Sequence, residues 1–182
     1  QLNLAQECED MAINNNPNLK KEKVNDFYKL SYSVLINNNT WYSVSVKTDR
    51  YCGGPYPSID RNVVVFNKKN GSKIDPTDLY NITEKTKHGY TIKPAIQLLI
   101  RSALLREIDK GSIRKSCLNV IQEDKIEYLD QDTVGLGKNG LYIMYTGPHV
   151  VASCYKTVIL PYPQLSRFLN KAEAKRLNWQ PF

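Results

Sequence analysis

From Gly140 to Leu169 the chain reads GLYIMYTGPHVVASCYKTVILPYPQLSRFL, and this stretch constrains the fold more than any other. A glycine turn opens an apolar-aromatic run, Leu141–Tyr145. Gly147-Pro148-His149 breaks it, a second run from Val150 to Leu160 carries Cys154, and Pro161-Tyr162 then starts a helix-like stretch. Glycine and proline are the strongest local punctuators, and two apolar runs on either side of a break read as paired strands. The spacing predicts a β-rich closing region sealed by a Pro-Tyr-x-x-Leu element.

The same alternation appears upstream. Asn25–Ile36 places Leu30, Tyr32, Val34 and Ile36 on one face at the strand period. Asn37-Asn38-Asn39 forms a turn. Trp41–Val46 returns, with Tyr42, Val44 and Val46 alternating against Ser43 and Ser45, which predicts a hairpin. Tyr51-Cys52-Gly53-Gly54-Pro55-Tyr56-Pro57 is a dense Gly/Pro loop. Val63–Phe66 reads as a strand turning at Asn70-Gly71, where a two-residue turn would need φ > 0 at both central positions, and returning through Lys73-Ile74. Asp75 reads as an N-cap with Pro76 at the first helical position, so Thr77–Tyr80 is expected to form one helical turn.

Pro94–Lys110 is the main predicted helix. Ile96, Leu99, Ile100, Ala103, Leu104 and Ile108 form one stripe, and Gly111 sits where a helix ends. Ser112 would cap a second helix, Ile113–Gln122, with Ile113, Cys117, Val120 and Ile121 facing inward. Lys125–Leu129 and Thr133–Leu136 are short extended pieces. Strands flank a helical pair and do not alternate with helices. The expected class is therefore α+β, a mainly antiparallel sheet packed on a central helix pair.

At 182 residues the chain fits one domain. Residues 1–24 read as an N-terminal arm with a helix near Leu4–Ile13, 25–170 as the domain, and 171–182 as a basic tail. The composition, 41% hydrophobic and 24% charged, is globular. No apolar run approaches the ~20 residues of a membrane span. The chain begins with Gln1 and reads as a mature or trimmed form whose export signal or anchor lies outside it.

Cys8, Cys52, Cys117 and Cys154 are widely dispersed, and none forms a Cys-x-x-Cys pair. Zinc and dithiol redox centres need closer thiols, whereas an even, dispersed set fits two structural disulfides and an oxidising compartment. Three pairings are open. Cys117–Cys154 with Cys8–Cys52 is favoured, and it implies a periplasmic or extracellular location.

No catalytic constellation emerges. The two histidines, His88 and His149, are far apart, and no carboxylate motif accompanies them. No Gly-x-Ser-x-Gly occurs. Gly135-Leu136-Gly137-Lys138 lacks the full phosphate-loop frame and runs into a strand, so it reads as a hairpin turn. The acidic stretch from Glu123 to Asp132 fits no calcium loop. The reading is a non-enzyme with no metal and no cofactor. The net charge of +7 is scattered, and no nucleic-acid motif accompanies it. Twelve tyrosines against four phenylalanines suit half-exposed, protein-binding surfaces. The loops holding Tyr51 and Tyr56, and Tyr145 and His149, are the candidate contact surface.

Two stretches also resemble a known family. Tyr42 to Tyr80 carries Tyr-Cys-Gly-Gly-Pro-Tyr-Pro, a strand ending in Asn-Gly-Ser, and Ile-Asp-Pro-Thr-Asp-Leu-Tyr. It looks like a pattern Tyr-x-Gly-Gly-x-His-Pro, then Thr-Gly-Lys, then Asp-Leu-Phe. The Gly140–Leu169 stretch looks like the same family's ending, Gly-Leu-x-aromatic followed by a hydrophobic-Pro-Tyr-x-x-Leu element. The family is the secreted C-terminal domain of RsiV-type, lysozyme-sensing anti-sigma factors, and the likeness spans residues 30 to 169. Tyr56 stands where the family often has His. The resemblance implies an α+β envelope domain that binds a protein. The expected function is an exported inhibitor or immunity protein that captures a cell-wall-active hydrolase or toxin. The alternatives are a ligand-sensing or accessory domain of a larger membrane protein and, with least support, a glycan-acting enzyme. A partner as basic as lysozyme would be repelled by the +7 charge.

Overall fold

The computed structural model describes residues 10, 13–14, 28–50, 58–87, 89–123, 131–144, 154 and 156–180. The Leu4–Ile13 helix lies almost wholly outside them. So do the Tyr51–Pro57 loop, His88, Lys125–Leu129 and the Tyr145–His149 loop.

Four strands, β1 (Tyr28–Asn37), β2 (Trp41–Arg50), β3 (Ser58–Asn67) and β4 (Lys73–Ile74), form one antiparallel sheet in chain order. The β1–β2 turn is held by Asn38, whose Oδ1 accepts from the N–H groups of Thr40 and Trp41 at 2.9 and 2.7 Å. A short helix α1 (Pro76–Leu79) follows, and Asp75 caps it by accepting from the Thr77 N–H at 2.8 Å. A two-stranded ribbon, β5 (Thr83–Thr86) and β6 (Gly89–Ile92), leads into the long helix α2 (Pro94–Asp109). The sequence reading did not find this ribbon. A 3-10 turn (Lys115–Cys117), α3 (Leu118–Glu123) and a second sheet come next. That sheet comprises β7 (Val134–Leu136), β8 (Gly140–Met144) and β9 (Thr157–Pro161), also antiparallel. The chain ends in α4 (Tyr162–Leu165) and α5 (Lys171–Leu177). The α+β class with antiparallel sheets is as the sequence implied.

The second sheet forms the middle of the core. Val134, Leu136, Leu141, Ile143, Val158 and Leu160 are all essentially buried. Helix α2 packs on β9 through its stripe of Ile96, Ile100, Ala103, Leu104 and Ile108, while β7 meets the four-stranded sheet. Gly135 permits that meeting, since a Cβ there would stand 2.4 Å from Val63 Cγ1.

The first hairpin presents its apolar face outward. Leu30, Tyr32 and Val34 are exposed, whereas Ser43 is buried completely. A bulge between Val34 and Ile36 shifts the register, so that Ile36 pairs with Ser43 and turns into the core. The inward face of β2 is thus Trp41, Ser43 and Ser45. Small hydroxyl side chains there let a second sheet approach closely.

Two local expectations are also corrected. At the β3–β4 turn only Gly71 takes positive φ, at 71°, and the loop runs from Lys68 to Gly71, closed by Asn67 N–H to Ser72 O at 2.9 Å. A four-residue loop needs one left-handed position, not two. Ser112 does not cap the second helix. It completes the end of α2, where Gly111 has φ +74°, its N–H reaches Ile108 O, the Ser112 N–H reaches Glu107 O and the Ser112 hydroxyl bonds the Glu107 carboxylate. The second helix therefore starts later, as a 3-10 turn at Lys115.

Cys117 and Cys154 form a disulfide across 37 residues, one of the two favoured bridges. Closing a loop of that length is worth about 4 kcal/mol in the chain-entropy picture. Cys8 and Cys52 lie outside the described residues. Of the stretch 171–182 read as a basic tail, Lys171–Leu177 is helical, and Ala174, Leu177 and Trp179 are buried. Trp179 joins Trp41, Tyr80 and Tyr162 in one aromatic cluster, with ring centroids 5.5 to 5.8 Å apart.

Candidate functional site

On the inward face of the four-stranded sheet, polar side chains line up across neighbouring strands. Ser31 pairs with Lys47, and Lys47 with Arg61. One step along, Ser33 pairs with Ser45. Side chains two residues apart share a face, so these five project together beyond the point where β7 covers the sheet. Met144 and Thr157, themselves partners at the end of β8 and β9, close the opposite side. Together they bound an open cleft of about 280 Å³.

The lining is rich in donors. Among the described residues it holds five hydroxyls, from Ser31, Tyr32, Ser33, Ser45 and Thr157, two cations, from Lys47 and Arg61, and no carboxylate. Lys47 is ion-paired with Asp49 at 2.7 Å, which offsets its charge. Arg61 makes no ion pair or side-chain hydrogen bond among the described residues. Ser45 Oγ lies 3.7 Å from Met144 Sδ, a weak contact that ties the two sheets together at the cleft floor. Deeper on the same strand, the buried Ser43 Oγ has no hydrogen-bond partner among the described residues.

Tyr51, Tyr56, Tyr145 and His149, the contact residues expected from the sequence, lie outside the described residues. Their anchor points do not. The loop with Tyr51 and Tyr56 leaves β2 after Arg50 and rejoins β3 at Ser58, three positions beyond the Lys47–Arg61 pair on each strand. The segment with Tyr145 and His149 leaves β8 after Met144, on the cleft wall, and returns to β9 at Thr157, also on the wall. Both predicted loops are therefore rooted around one cleft. The sequence reading missed the cleft residues themselves. Their signal was present as a period-two row of Ser31, Ser33, then Ser43, Ser45 and Lys47.

Among the described residues, no group of three or more His, Cys, Asp or Glu is placed to hold a metal ion. No described helix is long and apolar enough to cross a membrane.

No family model and no curated protein matches the chain. Solved structures do share its fold. A DUF3298 family protein from Pseudomonas aeruginosa aligns with a TM-score of 0.54 and 11% identity, covering 83% of this chain and 67% of that one. A member of the same family from Bacteroides fragilis aligns at 0.55 and 14%, covering 79% and 54% respectively. The chain thus spans about two thirds of the first and just over half of the second. At these identities the likeness is one of fold.

Proposed function

We propose that this chain is a non-enzymatic, exported protein-binding domain of the RsiV C-terminal type, and that it captures a cell-wall-active or toxic protein in the bacterial envelope. One observation carries the reading. The segments holding Tyr51 and Tyr56, and Tyr145 and His149, both containing glycine and proline in sequence, leave the described strands around one donor-rich cleft. Binding segments that lose little freedom on association gain affinity, and glycine-proline sequences around a recess suit a small domain that plugs a partner's active site. The disulfide supports an oxidising compartment. The shared fold of the two DUF3298 proteins agrees with the sequence resemblance.

Calorimetric titration of the domain with purified peptidoglycan hydrolases and secreted toxins tests this. A stoichiometric complex that silences the partner is the expected result. Hydrolysis of peptidoglycan by the domain alone would overturn it.

A further inference from the structure

We propose that the cleft between the two sheets is a carboxylate-binding site, anchored by Arg61. This rests on the protein-binding reading and specifies what the partner presents: an acidic side chain.

The chemistry of the wall selects the ligand. The described lining offers hydroxyl donors and two cations, and the acid beside it, Asp49, is already engaged by Lys47 and leaves Arg61 to a ligand. With Lys47 offset by Asp49, one positive charge remains in excess. That matches a singly charged carboxylate better than a phosphate, which carries closer to two charges near neutral pH. A guanidinium presents a planar fork that suits a carboxylate in bidentate fashion, and such charge-assisted bonds are roughly twice as strong as neutral ones. Arg61 lacks a partner of its own among the described residues, so no internal pair must break first.

Size points the same way. Drug-sized ligands occupy pockets of about 300–1,000 Å³, and this cleft falls just below that range. It has room for one side chain. Its place between the roots of the two loops lets a partner seated on them insert a Glu or Asp into it.

The test is an NMR titration of the full chain with Ac-Gly-Glu-Gly-amide, its Gln counterpart and glutarate, each at constant ionic strength. The Glu peptide should give saturable shifts at Arg61, Ser45 and Thr157, and the Gln peptide none. Arg61→Gln should weaken binding at least tenfold, and Arg61→Lys should recover part of it. If glutarate binds as well as the peptide, the site stands and free acids also reach it. Equal shifts from both peptides, or shifts reproduced by sodium chloride, overturn the site, and the wild-type map decides this even if a variant misfolds. The two proposals fail separately. A protein partner that binds wild type and Arg61→Gln equally removes the cleft from recognition and leaves capture intact. A seated Glu peptide with no protein partner among hydrolases and toxins removes capture and leaves the site.

Discussion

The indole Nε1 of Trp179 donates to the Tyr80 hydroxyl at 3.1 Å, joining residues 99 positions apart. Tyr80 also stacks on Tyr162, whose hydroxyl donates to Gly137 O at 2.7 Å in the β7–β8 turn. Trp41, on β2, meets the edge of Trp179. Four distant segments thus share one aromatic cluster, and each ring's polar atom that is buried finds a partner there.

Removing its centre should therefore be costly. Trp179→Ala should lower unfolding free energy by about 3–5 kcal/mol, the usual cost of deleting a large buried aromatic. Trp179→Phe, which keeps most of the ring and loses the donor, should cost roughly half that. Urea denaturation followed by circular dichroism separates them. A wild-type midpoint for Trp179→Ala would show that the C-terminal segment does not contribute to the core.

The same cluster predicts alkaline sensitivity. Burial pushes the Tyr80 hydroxyl up from 10.0 to about 12, with the Trp179 N–H pulling slightly the other way. Burial, then the nearness of Tyr80, raises Tyr162 further. Both groups ionise more readily in the unfolded chain, so their contribution is complete below the unfolded value near pH 10 and fades as pH rises toward and past 12. Urea midpoints should be flat from pH 8 to 9.5 and fall steadily above 10. A flat profile to pH 11.5 would contradict the burial of these hydroxyls.

Ser43→Ala should be neutral or stabilising. Its hydroxyl is buried without a partner among the described residues, so the change removes a desolvation cost of about 1 kcal/mol and leaves the backbone ladder untouched. A melting temperature several degrees lower would mean that this oxygen does have a partner in solution.

Gly140→Ala should destabilise the closing sheet. A Cβ there would lie 2.3 Å from Leu160 O, a backbone atom that cannot swing aside. Overpacking of this kind costs about 1–3 kcal/mol, or roughly 2–12 °C in Tm for a chain of this size. Differential scanning calorimetry gives the answer directly, and an unchanged Tm would refute the close approach of β8 and β9.

For function, Tyr56→Ala and His149→Ala should each weaken partner binding by about 1–3 kcal/mol with unchanged thermal melts, because interface energy concentrates in a few loop side chains. If both variants bind like wild type, recognition lies off these loops.

Elements with local signals were legible. Pro94 and Gly111 bracket α2, Asp75-Pro76 sets α1, and Cys117 with Cys154 form the bridge that dispersion suggested. What was not legible depends on packing between distant segments. Alternation along β2 cannot say which face is buried, because that is decided by Gly135 and the sheet behind it. The β1 bulge, a single-residue event, turns Ile36 inward with no composition signal. Trp179 hid among Lys171, Lys175 and Arg176, whose charges made a buried helix face look like a tail. The cleft draws on β1, β2, β3, β8 and β9, so no window of sequence contains it.

The Cys117–Cys154 bond makes a covalent ring of everything between α3 and the approach to β9, with β7 and β8 inside it. A protease that cuts this ring once leaves both fragments on one molecule. β8 also remains hydrogen-bonded to β9 outside the ring. The domain can thus be nicked once between Cys117 and Cys154 and still hold together, and release of a fragment requires a second cut or a reductant.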